Sequence, residues 1–138
     1  MDEMLKTLAK NFDEEPYAKK MRLRLIEIDY GKAVVKMEIS QEMNNIFCVT
    51  HGGVIFSLID GAFELAANSH GTIAVALGVN VNYLNPAKAG DILYAEAREV
   101  SRSPRISTYD IKVKNDNGKL IATCQATAYR KREKLPFL

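Results

Sequence analysis

Cysteine is scarce in this chain of 138 residues, with only Cys48 and Cys124, whose spacing matches neither a zinc motif nor a disulfide framework. A cysteine-stapled secreted scaffold is thereby excluded, and a reducing, cytoplasmic setting is the simpler expectation. A dominant sign of charge is also missing. The formal net charge is +2, and basic residues are interleaved with acidic ones through most of the chain, so no footprint for nucleic acid is present. No basic-plus-apolar leader opens the sequence, and its one long apolar stretch is interrupted by Asp60 and Glu64, which argues against a signal peptide and a membrane span. Repeats and low-complexity segments are lacking. What remains is ordinary globular material, 26% charged and 47% hydrophobic, enough for one domain with a real core but small for a solitary enzyme cleft.

The dominant feature is His51 to Gly71, HGGVIFSLIDGAFELAANSHG. Paired glycines open it, no proline interrupts it, and Gly71 closes it, the punctuation of one strong helix. Its apolar residues point around nearly the whole circumference, which predicts a buried helix. At 100° per residue, Ser57, Asp60, Glu64 and Asn68, together with Gly61, fall on one narrow stripe. Two carboxylates on such a helix need partners, solvent or a substrate, because a buried unpaired carboxylate costs several kcal/mol.

On either side of this helix the pattern is that of strands. DEMLKTLAK suits a short surface helix, and Glu15-Pro16 a second helical start with proline at the first position. Alternation then begins at Met21, with a phase switch near Leu25-Ile26 that predicts a bulge, and Gly31 turns the chain into a second strand over Ala33 to Ile39. Residues 40 to 50 have no period. After the helix come strands over Thr72 to Asn85, Ile92 to Arg102, Arg105 to Lys114 and Lys119 to Arg130, the last two joined by the hairpin signal Asn115-Asp116-Asn117-Gly118. In the first of these, large residues alternate with small or amide ones such as Asn80 and Asn82, leaving room for a backbone or ligand. The tail KREKLPFL is expected to fray. Two strands, one helix and four strands, without βαβ alternation, predict an α+β domain whose antiparallel sheet curls around the helix.

HGGVIFSLIDGAFELAANS, the later VNVNYLNPAKAGDILYAEAREV and the closing KLIATCQATAYR together resemble the hotdog-fold acyl-CoA thioesterases, most closely the phenylacetate-pathway (PaaI-type) group. The resemblance spans about residues 20 to 131. It divides the chain into an N-terminal helical segment (1–20), a hotdog domain (21–131) and a tail (132–138). It implies hydrolysis of an acyl- or aryl-acyl-CoA to free acid and CoA, with no cofactor beyond the CoA of the substrate and no metal. It also implies a homodimer, often paired into a homotetramer, without nucleic-acid or membrane partners.

Thioester hydrolysis needs donors for the carbonyl oxygen and a base or nucleophile. Gly52 and Gly53 at the helix N-terminus offer backbone N–H groups and the positive end of the dipole. Asp60 is the carboxylate candidate, as general base or as nucleophile. It lies eight residues beyond Gly52, roughly 12 Å along a helix, too far for both to serve one carbonyl within a chain. Two antiparallel copies of the helix would bring Gly52 of one chain to Asp60 of the other. By resemblance, Gly52 is the oxyanion amide, Asp60 the catalytic carboxylate, and Asn45 and His51 orient the thioester or the water. Gly53, Phe56, Glu64, Asn82 and Tyr83 are expected around the substrate, although Phe56, Phe63 and Tyr83 could equally fill the core. Asn45 could equally be a turn residue and His51 a loop residue at the helix start. Cys48 reads either as a thiol nucleophile beside His51 or as a buried hydrophobe, His70 as a helix C-terminal residue, and Ser57 as bonded to its own helix. Lys88, Arg102 and Arg105 are candidates for the CoA phosphates, though Ser103-Pro104 stands where relatives commonly carry a glycine-and-basic turn. Two other readings compete: a hydratase or dehydratase of acyl thioesters using His51 with Asp60 or Glu64, and a non-catalytic acyl-CoA-binding module.

Overall fold

The computed structural model describes all 138 residues. In chain order they form α1 (Glu3–Glu14), α2 (Pro16–Met21), β1 (Arg24–Asp29), β2 (Lys32–Glu38), a 3-10 turn (Gln41–Met43), α3 (Gly52–Asn68), β3 (Thr72–Tyr83), β4 (Ile92–Arg102), β5 (Ile106–Asn115) and β6 (Leu120–Lys134). The strands make one antiparallel sheet in the order β1-β2-β4-β5-β6-β3.

Alternation along each strand decides which residues meet α3. Val35 and Met37 of β2, Leu93 of β4, Tyr109 and Val113 of β5 and Ala126 of β6 are fully buried on the inner face. Alanines at 95, 97, 122 and 128 on the same face keep the sheet low in relief, so the helix can lie close to it. Twelve residues of α3 are buried, as its all-round apolar surface predicts. The α1 helix is more than a surface cover. Leu5, Leu8 and Phe12 are buried, and Phe12 and Leu23 pack so closely over Gly61 that a Cβ there would lie 3.0 Å from Leu23 Cδ1.

Several expectations change. Strand alternation does not start at Met21, because α2 runs to Met21 and Arg22 then takes a left-handed turn at φ 57°. The bulge near Leu25-Ile26 is present, with Ile26 unpaired. A second bulge, at Leu77, interrupts what reads in sequence as one continuous alternation. Before it Ala74 and Ala76 face the helix. After it the inner positions pass to Val79, Val81 and Tyr83, opposite Ala126, Cys124 and Ala122. Nor does the tail fray: β6 continues to Lys134, Leu135 is buried and donates its N–H to Gly71 O, and Leu138 packs on Gly71.

Candidate active site

The central helix begins at a built N-cap. His51 has an extended backbone, and its Nδ1 accepts the Gly53 N–H at 2.8 Å, while Val54 N–H bonds His51 O. The imidazole is therefore held as an acceptor at the helix start. Of the two amides that the paired glycines offer in sequence, Gly53 is taken. The Gly52 N–H has no partner among the loop and cap hydrogen bonds and lies at the positive end of the dipole.

Gly52 lies in a cleft of about 310 Å³ with Asn45, Thr50, Ile55, Tyr83, Leu84, Asn85 and Pro86. Tyr83 forms its wall, donating its hydroxyl to Gly52 O at 3.2 Å, and a Cβ at position 52 would stand 3.4 Å from Tyr83 Cζ. Asn45 is a turn residue whose Oδ1 accepts from Phe47 N and Val49 N, and it also lines the cleft. That turn thrusts Ile46 and Phe47 into solvent, 89% and 76% exposed. Cys48 beside them is exposed at φ 63°, not the buried hydrophobe that its composition suggests, because the turn points it away from the core.

Asp60 and Glu64 occupy a different cleft, about 210 Å³, with Phe63, Ala67, Ala74, Val75 and Ala76. Burial, and then the charge of Glu15, holds the Asp60 carboxyl above the usual range. Glu64, though exposed as a residue, has its carboxyl pushed up to about 9 by desolvation, by contact with Glu15 and by the charges of Glu15 and Asp60. Glu15, at the start of α2, was invisible to a reading confined to the helix stripe. Only the fold lays it over positions 60 and 64. The remaining stripe residues are structural. Ser57 bonds Gly53 O and Tyr17, and Asn68 bridges Glu64 O to both backbone groups of Ala74.

The other candidates disperse. Phe56 is 37% exposed on the outer side of α3, so core filling is not its role, whereas Phe63 is buried edge-on against Tyr109. Asn82 faces away from the helix, in a polar groove with Asn80, Asp110 and Gln125, because the Leu77 bulge moves it off the inner face that Ala74 and Ala76 occupy. Lys88 is exposed in the turn just after the Gly52 cleft, its N–H bonded to Asp91. Arg102 and Arg105 lie at the other end of the sheet, the first 3.7 Å from Glu99 and the second donating to Arg130 O. His70 does not act on the helix dipole alone. Its Nε2 bonds Glu99 at 2.9 Å, and Glu99 also accepts from Tyr109.

A single antiparallel sheet curled about one apolar helix is the hotdog fold. The chain belongs to the thioesterase superfamily, whose family model matches residues 47–122, more than half of its length, and it is a thioester hydrolase of that family. It is 35% identical to the acyl-coenzyme A thioesterase PaaI of Escherichia coli over 119 residues, 86% of this chain and 85% of that one. The solved structure of E. coli PaaI superposes with a TM-score of 0.91 at 32% identity, covering 95% of each chain. A Streptococcus mutans protein solved with acetyl-CoA bound is similar at a TM-score of 0.78 and 27% identity, over 82% of this chain and 91% of that one. No helix is long and apolar enough to cross a membrane.

Proposed function

We propose that the chain hydrolyses acyl-CoA thioesters as a two-fold dimer, each site joining Gly52 of one chain to Asp60 of its partner. The observation that carries this reading is the separation of the two groups. Within one chain the free Gly52 amide and the Asp60 carboxylate line different clefts, two helical turns apart. The β3 strand supports it. This strand is a sheet edge of 12 residues that lacks any charge or proline, and Val75, Leu77 and Tyr83 on it are exposed. Long uncharged edges invite pairing. Antiparallel pairing of two β3 strands would set each helix start beside the partner's Asp60 and carry the partner's Arg102 and Arg105 end toward Gly52. Further pairing into a tetramer, and a reducing cytoplasm consistent with two free cysteines, complete the reading.

Asp60 removes a proton from water as the oxygen attacks the thioester carbonyl. The carbonyl oxygen gains the negative charge and is met by the Gly52 N–H. Collapse of the intermediate breaks the C–S bond, and the CoA thiolate leaves with the proton that Asp60 held. The upward shift of Asp60 favours this base role, since a carboxylate closer to neutral pH is the stronger base.

Thiol release from a panel of acyl-CoAs tests the reading. Wild type should release thiol, and Asp60→Asn should do so about 10²- to 10⁴-fold more slowly. Equal rates would sink the mechanism. Hydration of an enoyl-CoA without thiol release would favour a hydratase, and saturable binding with neither reaction a binding module.

A further inference from the structure

We infer that the Thr50 hydroxyl is a further substrate-binding group of the Gly52 cleft, positioning the thioester arm by donating a hydrogen bond to one of its carbonyl oxygens. Thr50 is only 5% exposed and lines that cleft with Asn45 and Gly52. Its Oγ1 is buried and has no hydrogen-bond partner within the chain. The hydroxyls of the other fully buried residues are satisfied. Ser57 bonds Gly53 O, Ser69 bonds Ala66 O, Ser107 accepts from Arg130, and Tyr109 donates to Glu99. Ser40 Oγ is also unpartnered, but Ser40 lies outside the cleft.

Local geometry explains why the hydroxyl finds nothing at home. Thr50 precedes the helix as one partner of an isolated antiparallel bridge, so it has no helical carbonyl one turn back to bond. Its N–H is committed to Ala87 O at 2.9 Å, which fixes the residue against the Pro86–Ala87 wall. Asn44 faces it across an isolated antiparallel bridge, yet Asn44 Oδ1 is itself buried and unpartnered, so the two do not bond each other. Valine would occupy the same space without burying a hydroxyl. An unpaired buried hydroxyl is retained at a cost in stability, and a ligand that completes it gives the cost a return. Acyl-CoA presents carbonyl acceptors both at the thioester and along its pantetheine arm, and in this proposal rotation of Thr50 about χ1 offers its hydroxyl to one of them. The role assigned here rests on the cleft being the thioester site proposed above.

The test compares wild type, Thr50→Val and Thr50→Ser. In Thr50→Val the KM for the preferred acyl-CoA should rise about tenfold with kcat within about twofold. The unliganded variant should melt at or above the wild-type temperature, because an unpaired hydroxyl has been removed. Thr50→Ser should restore the wild-type KM. Wild-type kinetics in Thr50→Val would overturn the assignment and leave the hydroxyl a packing defect. A clearly lower Tm would also overturn it, by revealing an internal partner. If wild type hydrolyses no acyl-CoA, the proposed function fails separately. Binding of acetonyl-dethio-CoA, with CH₂ in place of sulfur, then reads Thr50 alone: weaker binding by Thr50→Val supports the role, whereas equal binding, or no binding to wild type, refutes it.

Discussion

Mixed dimers give the sharpest test of a site shared between two chains. Two variants are needed, each lacking one half. Asp60→Asn removes the carboxylate and keeps the shape. Gly52→Pro removes the amide hydrogen and keeps the helix, for two local reasons. Position 52 is the first helical residue, where proline is tolerated. His51 before it already has φ −63° and ψ 137°, the extended backbone that proline requires of its predecessor. The added ring meets Tyr83 at van der Waals contact, with a Cβ 3.4 Å from Cζ. Loss of one oxyanion donor should cost about 10²- to 10³-fold in kcat, so both homodimers should be nearly inactive. In a mixed dimer, the Asp60→Asn chain supplies an intact Gly52 and the Gly52→Pro chain an intact Asp60. These meet in one site, while the second site lacks both groups. A doubly tagged, purified heterodimer should therefore recover about half the wild-type rate per dimer, and an unfractionated 1:1 mixture, in which half the dimers are mixed, about a quarter. The assay is continuous thiol release. A purified mixed dimer no faster than its parents would refute the shared site.

Charge and backbone yield three further predictions. Because Asp60 titrates above the ordinary carboxylate range, the acid limb of kcat/KM should lie above that of a solvated aspartate; a limb near pH 4 would contradict its burial. Glu64 has a folded pKa of about 9 against an unfolded value near 4.5, so its contribution is fully present below the unfolded value and is lost as pH rises toward 9. Glu64→Gln should accordingly gain stability relative to wild type between about pH 5 and pH 9 in denaturant melts, and a pH-independent difference would refute the carboxylate cluster. Gly31 has φ 67°, and a Cβ there would lie 2.9 Å from Glu99 Cβ. Gly31→Ala should cost about 2 kcal/mol and lower the Tm by roughly 6–10 °C, whereas an unchanged Tm would show that the turn adapts.

Much of this fold was legible because burial and period agree. The helix needed no tertiary information, since residues 54 to 67 are apolar around all but one narrow stripe and glycines stand before and after the segment. The first bulge left a visible phase switch at Leu25-Ile26. The bulge at Leu77 left none, because Ile73 to Tyr83 reads as one unbroken alternation. The unbroken alternation puts Asn82 on the face of Ala74 and Ala76, whereas the bulge turns it to the opposite one. Cys48 and Phe56 illustrate a second limit: hydrophobicity states a preference for burial, but a turn or an outward helical position can override it.

By itself the sequence determined the buried helix with its carboxylate stripe, the six strands, and the axial distance that keeps Gly52 and Asp60 of one chain apart. These follow from periods of 2 and 3.6 residues and a rise of about 1.5 Å per helical residue, all local properties of the backbone. Only the tertiary structure decided that Glu15 stands over Asp60 and Glu64, that His51 takes the Gly53 amide and leaves Gly52 alone, and that the Thr50 hydroxyl is closed off without a partner. Each of these depends on groups brought together from separate elements or on how one backbone bend is oriented, which no periodicity encodes.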